Sequence, residues 1–238
     1  MNNTSNIIAI VPAAGIGSRM NSQTPKQYLK IGSMTILEHT LQKLLSHPRI
    51  GKIIVAIHAK DHLFATLPIA THPRIHVVKG GSTRADSVLA GLQVLNDEQW
   101  ALVHDAARPC VDHNDINRLI NTVVETQQGA ILATRISDTV KRAYQTNDNV
   151  IESSEDRTYL WGAATPQLFK VGELKSCLQL ALNNHVPITD EASAIEYAGG
   201  HPLLVECRRD NIKITHPEDL ALASFFLTNQ MQKGDLCE

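Results

Sequence analysis

Two positively charged side chains, Arg19 and Lys26, follow a run of small residues near the start of the chain. This loop covers residues 12–19, and its mostly small side chains let backbone N–H groups approach a ligand closely. No acidic residue precedes Glu38. Because peptide N–H groups and uncompensated cations both attract anions, the stretch predicts a cradle for a polyphosphate. A glycine-rich turn at a sheet edge, without a ligand, is the simpler alternative.

The two familiar phosphate-binding motifs do not account for this stretch. The Walker A string Gly-x-x-x-x-Gly-Lys-Ser/Thr does not occur in the sequence. The dinucleotide-binding string Gly-x-Gly-x-x-Gly begins at Gly15 and Gly17, but Met20 stands in the place of the third glycine. A bulky residue there prevents the close packing of helix on strand that the third glycine permits. A nicotinamide-dependent oxidoreductase is therefore excluded.

A second group of candidate residues follows an apolar run that ends at Val103. Asp105 is the first carboxylate after this run, and carboxyl ends of parallel strands face the crevice where α/β sheets bind ligands. An oxygen ligand in that place suits a divalent cation shared with substrate phosphates. An ion pair between Asp105 and Arg108 that merely shapes the loop is the alternative. We expect His104, at the end of an apolar strand, to be structural rather than a general base.

A third candidate element is the glycine pair at residues 80–81, which is followed by hydroxyl-bearing residues and a predicted helix. The glycines and the start of the helix together offer N–H donors and a capping group. Gly81 and Ser87 are its candidate ligand contacts. An ordinary capped helix start is the alternative.

Apolar patterning predicts the elements that must position these residues. Strands are predicted over residues 7–11, 52–57, 74–79, 101–104 and 130–134. Helices are predicted over residues 36–45, 84–95, 114–126 and 217–227, with Asp112 and a Thr215–Glu218 capping box at two of their starts. Alternation of strands and helices predicts an α/β fold. We expect one Rossmann-like domain over residues 1–238, with a mostly parallel sheet and helices on both faces.

Residues 138–158 interrupt this alternation. Two β-prone pieces, 139–144 and 150–153, flank the turn formers at 145–149. The segment is too polar for the core, and an isolated hairpin is marginally stable in water. We therefore expect a protruding β-hairpin arm that packs against another surface. A simple surface hairpin is the alternative.

Composition and charge narrow the class of protein. With 238 residues and 43% hydrophobic content, but few aromatic residues, the chain can fill a largely aliphatic core. A net charge of −2 argues against a general nucleic-acid or membrane-surface binder. The first residues lack the features of a signal peptide, and no apolar run approaches the ~18 residues of a membrane span. Four scattered cysteines without metal-ligand spacing predict reduced thiols, no structural zinc and a cytoplasmic location.

The motifs resemble those of a known family. The strings Ala13-Ala14-Gly15-x-Gly17-x-Arg19, Pro25-Lys26-Gln27-Tyr28 and His104-Asp105-Ala-Ala-Arg-Pro are similar to the signature of the 2-C-methyl-D-erythritol 4-phosphate cytidylyltransferases of the non-mevalonate isoprenoid pathway. The resemblance extends over about residues 7–227 in the expected order. It departs from the family where Ala163-Ala164 precede Thr165, since many members read Ala-Gln there.

The resemblance implies a reaction and an assignment of residues. The phosphate of 2-C-methyl-D-erythritol 4-phosphate would attack the α-phosphorus of CTP, giving 4-diphosphocytidyl-2-C-methyl-D-erythritol and pyrophosphate. Catalytic roles fall to Arg19, Lys26, Arg157 and Lys213. Nucleotide binding falls to Pro12, Ala13, Ala14, Gly15, Gly17, Lys26, Gly81, Ser87, Asp105 and Ala106. Binding of the second substrate falls to Asp105, Arg108, Arg157, Thr165, Thr189, Asp210 and Lys213, with Thr189 as a helix cap that faces an anion.

The resemblance also implies a cofactor and a partner. Mg²⁺, or another divalent cation, would bind near Asp105. The arm would be exchanged across a homodimer, so that Arg157 acts in the neighbouring subunit's site. Two other functions remain open from the sequence. One is a cytidylyltransferase for ribitol 5-phosphate, and the other is a catalytically silent nucleotide-binding regulator, which the filled charged positions disfavour.

Overall fold

The computed structural model describes residues 7–15 and 24–235. Its strands, in chain order, are β1 (Ile7–Ala13), β2 (Lys30–Ile31), β3 (Met34–Thr35), β4 (Ile50–Ile57), β5 (Ile75–Lys79), β6 (Trp100–Val103), β7 (Ala130–Arg135), β8 (Lys141–Tyr144), β9 (Asn147–Ser154), β10 (Trp161–Lys170) and β11 (Leu203–Glu206). Its α-helices are α1 (Ile36–Leu45), α2 (Arg84–Leu92), α3 (His113–Thr126), α4 (Val171–Asn183), α5 (Glu191–Tyr197) and α6 (Glu218–Asp235). Short 3₁₀ turns lie at Lys26–Tyr28, Phe64–Thr66 and Pro68–Thr71.

In the part of the chain that is described, seven strands form one central sheet in the order β11-β7-β10-β6-β1-β4-β5. All of them run parallel except β10, which is antiparallel to both β6 and β7. After β1 the chain first builds the sheet toward β4 and β5, and it then crosses to β6 on the other side of β1. This reversal beside β1 is the topological switch point at which open α/β sheets bind ligands.

Most of the core consists of two aliphatic layers, one on each face of the sheet, and a smaller cluster joins α6 to β2 and α1. On one face, apolar side chains of α1, such as Leu41, pack against β4, and those of α3, such as Leu119, pack against β7 and β10. On the other face, α2, α4 and α5 contribute side chains such as Leu92 and Leu178. The predicted parallel sheet with helices on both faces is confirmed. Within the described ranges, no helix is both long and apolar enough to cross a membrane.

The five predicted strands are present, but two strands of the sheet were not predicted. The first, β10, carries Thr165, Pro166 and Gln167 in its middle, and these residues break the apolar run that marks a buried strand. The second, β11, has only four residues at the edge of the sheet. Helix α4 was also not predicted, and α5 was implied only by the cap assigned to Thr189. Helix α2 ends at Leu92, three residues before its predicted end.

The predicted helix caps are confirmed in one case and wrong in the other. The Asp112 side chain caps α3 by accepting a hydrogen bond from the Asn114 N–H. Thr215 and Glu218 do not form a capping box, because the carboxylate of Asp219 takes the backbone donors at the start of α6. Its Oδ2 accepts hydrogen bonds from the N–H groups of Thr215 and His216 at 2.7 and 2.8 Å.

The arm is present as an antiparallel pair, β8 and β9, that forms its own two-stranded sheet. Its turn is shorter than predicted, because β9 begins at Asn147 and Tyr144 pairs directly with Asn147. The arm's apolar side chains are solvent-exposed: Tyr144, Val150 and Ile151 are 45%, 46% and 61% exposed. A two-stranded hairpin gains little stability by itself.

Candidate active site

A pocket of about 800 Å³ opens where β1, β5 and β6 end. It brings together most of the residues that the sequence predicts for nucleotide binding. These are Pro12, Ala13, Ala14, Gly15, Lys26, Gly81, Ser87, Asp105 and Ala106. Lys213, predicted for the second substrate, lines the same pocket. Gly17 and Arg19 lie outside the described residues.

Lys26 reaches the pocket from a 3₁₀ turn that follows Pro25. Proline fixes its own backbone angle and suits a turn start, and the Tyr28 N–H closes the turn on the Pro25 carbonyl at 2.9 Å. The Lys26 ammonium donates to the Ile214 carbonyl at 3.0 Å. This contact joins the turn to the segment that carries Lys213, so both lysines lie on one wall of the pocket.

The opposite wall is the glycine pair with the start of α2. A Cβ atom on Gly80 would lie 2.6 Å from the Ala14 Cβ, so the two loops approach too closely for any other residue. The Ser87 hydroxyl accepts a hydrogen bond from the Gly81 N–H at 3.1 Å and donates to the Thr83 carbonyl at 3.0 Å. Its single hydrogen is therefore used, and Ser87 can only accept a hydrogen bond from a ligand.

Asp105 lies at the floor of the pocket among three cations. Its Oδ1 accepts from Arg84 Nε at 3.0 Å, and its Oδ2 pairs with Lys213 Nζ at 2.9 Å and with Arg108 Nε at 3.4 Å. Burial alone would raise the pKa of Asp105, but Arg84, Lys213 and Arg108 outweigh it and hold the pKa well below its usual range. The carboxylate therefore stays ionised at every pH at which the protein would work.

Arg84 is held from its other side by Glu191, the first residue of α5. The guanidinium donates to both carboxylate oxygens, with Nη1–Oε1 at 2.6 Å and Nη2–Oε2 at 2.9 Å. Glu191 is 1% exposed, and burial raises its pKa, although Arg84 opposes this effect. Sequence reasoning gave neither Arg84 nor Glu191 a role. No local pattern marks a pair that lies 107 residues apart.

Thr165 supports Asp105 from beneath rather than lining the pocket. Its Oγ1 accepts a hydrogen bond from the Asp105 N–H at 3.0 Å and lies 3.0 Å from His104 Nδ1. His104 Nε2 lies 3.0 Å from the Arg108 carbonyl, which can only accept, so the ring is the neutral Nε2–H tautomer. Burial lowers the pKa of His104 to about 4. His104 is thus buried and bonded within the chain, and its structural role stays a prediction.

Three predicted substrate residues are not brought to the pocket within this chain. Thr189 is exposed and is not the cap of α5, because the Asp190 carboxylate accepts the Ser193 N–H instead. Asp210 forms an ion pair with Arg208 at 2.5 Å. Arg157 donates to the carbonyl of Ser137, within its own chain. Arg108 reaches the site through Asp105 and also donates to the Asn211 carbonyl at 2.7 Å.

The donors at this site suit one kind of metal ion. No group of three or more His, Cys, Asp or Glu side chains that could hold a metal occurs among residues 7–15 and 24–235. Asp105 is the acidic residue among those that line the pocket. Mg²⁺ usually binds through one or two carboxylates together with substrate phosphates. Asp105 therefore fits a Mg²⁺ ion that arrives with a nucleotide, and it does not fit an ion held by protein side chains alone.

A basic pocket at the switch point of a parallel sheet, with glycine-rich walls and one ionised carboxylate, is typical of enzymes that transfer nucleotidyl groups. Comparison with known proteins identifies which of these it is. The family model described as "IspD: 2-C-methyl-D-erythritol 4-phosphate cytidylyltransferase" matches residues 7–229. The chain belongs to this family and is therefore a nucleotidyltransferase.

Individual relatives agree with the family model. The 2-C-methyl-D-erythritol 4-phosphate cytidylyltransferase of Cronobacter sakazakii is 57% identical over 222 residues, which cover 93% of this chain and 94% of the relative. That of Escherichia coli O127:H6 is 54% identical over 95% of this chain and 96% of its own. The crystal structure of the Francisella tularensis enzyme is 38% identical, with a TM-score of 0.81, and covers 93% of this chain and 100% of that one.

The buried neutral His104 predicts a pH dependence of stability. Its pKa is about 4 in the folded protein and about 6.5 in an unfolded chain, so the unfolded state binds more protons between these values. We expect the free energy of unfolding to fall as the pH drops from 6.5 toward 4. For this one group the slope approaches about 1.4 kcal/mol per pH unit.

Urea denaturation at several pH values measures this slope in the wild type, in His104→Gln and in the exposed control His201→Gln. The His104→Gln protein should show a shallower slope, whatever its absolute stability, and His201→Gln should match the wild type. Equal slopes in all three proteins would contradict a neutral buried His104.

Proposed function

We propose that this pocket binds CTP and 2-C-methyl-D-erythritol 4-phosphate and catalyses transfer of the cytidylyl group between them. A phosphate oxygen of the polyol phosphate forms a bond to the α-phosphorus, the bond from that phosphorus to the bridging oxygen breaks, and pyrophosphate leaves. The proposal rests on one observation in a chain of this family: Lys26, Arg84 and Lys213 line a single pocket, and Arg108 contacts its Asp105. All the relatives quoted above are named for this substrate, so the ribitol phosphate and regulator alternatives are not favoured.

The reaction needs no general base. A phosphate monoester has a second pKa near ~6, so at neutral pH it is already a deprotonated nucleophile. Its difficulty is electrostatic, because a dianion must approach a triphosphate. Positioning of the two substrates and neutralisation of their charge therefore supply the catalysis.

The cations divide this work according to their position. Lys26 and Lys213 line the pocket directly, so they can contact phosphate oxygens. We assign Lys26 to the charge that gathers on the α-phosphate and the departing pyrophosphate, together with Arg19, which the family motif supplies. We assign Lys213, with Arg108 behind it, to the attacking phosphate. Lys213 now pairs with Asp105, and its 38% exposure leaves the ammonium accessible to a substrate phosphate.

Gly81 and Ser87 are the groups proposed to recognise the cytidine. Both line the pocket close to the β1 loop, where the base and sugar would lie when the triphosphate occupies residues 12–15. The free lone pair of the Ser87 hydroxyl can accept a hydrogen bond from a donor such as the cytosine amino group or a sugar hydroxyl. A site that accepts from an amino group disfavours uracil, which carries a carbonyl in that place.

Mg²⁺ is proposed as the cofactor, with Asp105 as its protein ligand. When bound, the ion would neutralise charge on the triphosphate and orient it. Asp105 is ionised and lines the pocket. Its Oδ2 can bind the ion when Lys213, which now pairs with it, moves to a substrate phosphate. The free thiols of Cys110, Cys177 and Cys207 are compatible with a cytoplasmic location, which we also propose.

The remaining predicted contacts of the second substrate are proposed to need a second subunit. Arg157 closes the arm and does not line the pocket of its own chain. Ile151 of the arm and Tyr159, which follows it, are 61% and 86% exposed, so large apolar side chains remain uncovered beside a two-stranded hairpin. A homodimer would bury this surface and could deliver Arg157 to the partner's pocket. Roles for Thr189 and Asp210 in binding the phosphate stay predictions.

A panel of substrates tests the function. The protein, with Mg²⁺, is incubated with CTP, UTP, ATP or GTP and with 2-C-methyl-D-erythritol 4-phosphate, ribitol 5-phosphate or other polyol and sugar phosphates, and pyrophosphate release is measured. We expect pyrophosphate release with CTP and 2-C-methyl-D-erythritol 4-phosphate to be at least ~100-fold faster than with any other pair. A different base or polyol would leave polar groups of the pocket without hydrogen-bond partners. Equal turnover with UTP, or a preference for ribitol 5-phosphate, would contradict the proposal.

Replacement of Lys26 by alanine separates charge from fold. A preorganised cation at developing charge contributes about 3–4 kcal/mol by analogy with oxyanion-hole donors, so kcat should fall by about 10²–10³. The melting temperature should change little, because Lys26 lies in a part-buried turn rather than in the core. Lys30→Ala, an exposed neighbour, is the matched control and should keep its activity. Activity of Lys26→Ala close to that of Lys30→Ala would show that Lys26 is not catalytic.

Mixing two inactive variants tests the shared site. If Arg157 acts in the partner's pocket, Arg157→Ala and Lys26→Ala subunits form hybrid dimers in which one site has both residues intact. We expect activity to return on mixing to a sizeable fraction of that of the wild type. Subunit exchange is verified first by pull-down of tagged chains.

The matched control mixes Lys26→Ala with the double variant Lys26→Ala/Arg157→Ala. These subunits exchange in the same way, but no site in the mixture contains Lys26. This mixture should stay inactive. If exchange occurs and the first mixture also stays inactive, Arg157 does not act across the dimer.

A further inference from the structure

Gln27 lines the pocket between Lys26 and Tyr28, and the residue is buried, with 5% of its surface exposed. Its Nε2 donates to the Ala13 carbonyl at 2.9 Å and to the Gly15 carbonyl at 3.1 Å. Because a carbonyl can only accept, these partners fix which end of the amide faces the loop. Both amide hydrogens of Gln27 are therefore bound to the backbone of the predicted phosphate loop.

The neighbouring side chains show that this contact is specific to Gln27. Lys26 extends to the Ile214 carbonyl, and the Tyr28 hydroxyl donates to Asp61 Oδ2 at 2.6 Å. The three consecutive residues thus connect the turn to three different segments. The β1 loop is the segment that Gln27 holds.

Carbonyl oxygens are the negative ends of peptide dipoles, and they would repel a triphosphate if they turned toward it. The amide of Gln27 occupies two of these oxygens in the segment that forms one wall of the pocket. In a trans peptide the N–H points away from the C=O, so a fixed carbonyl also fixes the direction of the Ala14 N–H. A loop held in this way is organised for an anion before the anion arrives.

We propose that Gln27 is a positioning residue that holds the loop at residues 13–15 in its anion-binding conformation and so sets the affinity for the nucleotide triphosphate. This rests on the proposed function, in which the pocket binds CTP. Gln27 acts through the backbone of Ala13 and Gly15, and it forms no bond to a reacting atom.

Gln27→Glu gives a sharp test because it changes the donor and keeps the shape. At high pH the carboxylate faces two carbonyl oxygens, and both burial and this repulsion raise its pKa. When protonated, the same carboxyl group donates one hydrogen bond and partly restores the contact. Gln27→Met keeps the approximate size and has no donor at any pH. Gln230→Glu is the matched control, since its Nε2 donates to the Cys110 carbonyl at 2.8 Å, away from the pocket.

The measurements are the Kd for CTP with Mg²⁺ by calorimetry and the KM values for both substrates, relative to the wild type, from pH 6 to 8.5. We expect Gln27→Glu to raise the KM and Kd for CTP about 10- to 100-fold at pH 8.5, and by a smaller factor at pH 6, where the protonated group restores one of the two hydrogen bonds. Gln27→Met should raise them by a factor that does not depend on pH. The KM for the polyol phosphate should change less than about threefold, and Gln230→Glu should match the wild type.

Several results would overturn the proposal. One is CTP binding as tight as that of the wild type in both Gln27 variants. Another is an equal loss of affinity for both substrates together with a lowered melting temperature, because that result would show that Gln27 stabilises the fold rather than the loop. If Gln27→Glu does not fold, Gln27→Met alone decides between these outcomes. Wild-type protein that does not bind CTP would contradict the proposed function itself, which the same titration shows separately.

Discussion

The ionised Asp105 carboxylate, surrounded by Arg84, Arg108 and Lys213, is the interaction on which the site depends. Three cations could not lie this close together in a partly buried place without a compensating charge. Each of them comes from a different segment: the start of α2, the loop after β6 and the stretch before α6. One carboxylate at the end of β6 therefore fixes three walls of the pocket relative to one another.

The pair of Arg84 with Glu191 extends this network into the core. Glu191 is almost fully buried, so its charge requires the bidentate contact that Arg84 provides. Helix α5, which carries Glu191, is tied to β10 by Gln167, whose amide donates to Asp190 Oδ2 at 2.8 Å and accepts the Ala192 N–H at 2.9 Å. The antiparallel strand β10 is thereby connected to the pocket by hydrogen bonds that run through α5 to Arg84. A phosphoryl-transfer site gains from such rigidity, because its catalysis consists of positioning and charge neutralisation.

The sequence was sufficient for features that arise from local patterns. The apolar runs identified β1, β4, β5, β6 and β7, and the small residues before Lys26 identified the pocket. The missing parts depend on tertiary contacts. Glu191 has no local signal, since its partner Arg84 is distant in the chain, and β10 is hidden because the Thr165–Gln167 stretch serves the site instead of the core. The family resemblance implied that Thr189 caps α5, but the adjacent Asp190 occupies that position, which aspartate also suits.

The Arg84–Glu191 pair, whose carboxylate is buried, serves the site more than the fold, and the double variant Arg84→Met/Glu191→Leu tests this directly. Apolar residues of similar size often replace a buried ion pair without loss of stability, whereas a displaced Asp105 would misplace the cations. Thermal unfolding and pyrophosphate release are compared with those of Lys170→Met/Glu98→Leu, which removes an exposed pair outside the pocket. We expect the double variant to keep a melting temperature within a few degrees of the wild type and to lose at least ~100-fold in turnover, with the control unchanged. Wild-type turnover in the Arg84→Met/Glu191→Leu protein would contradict it.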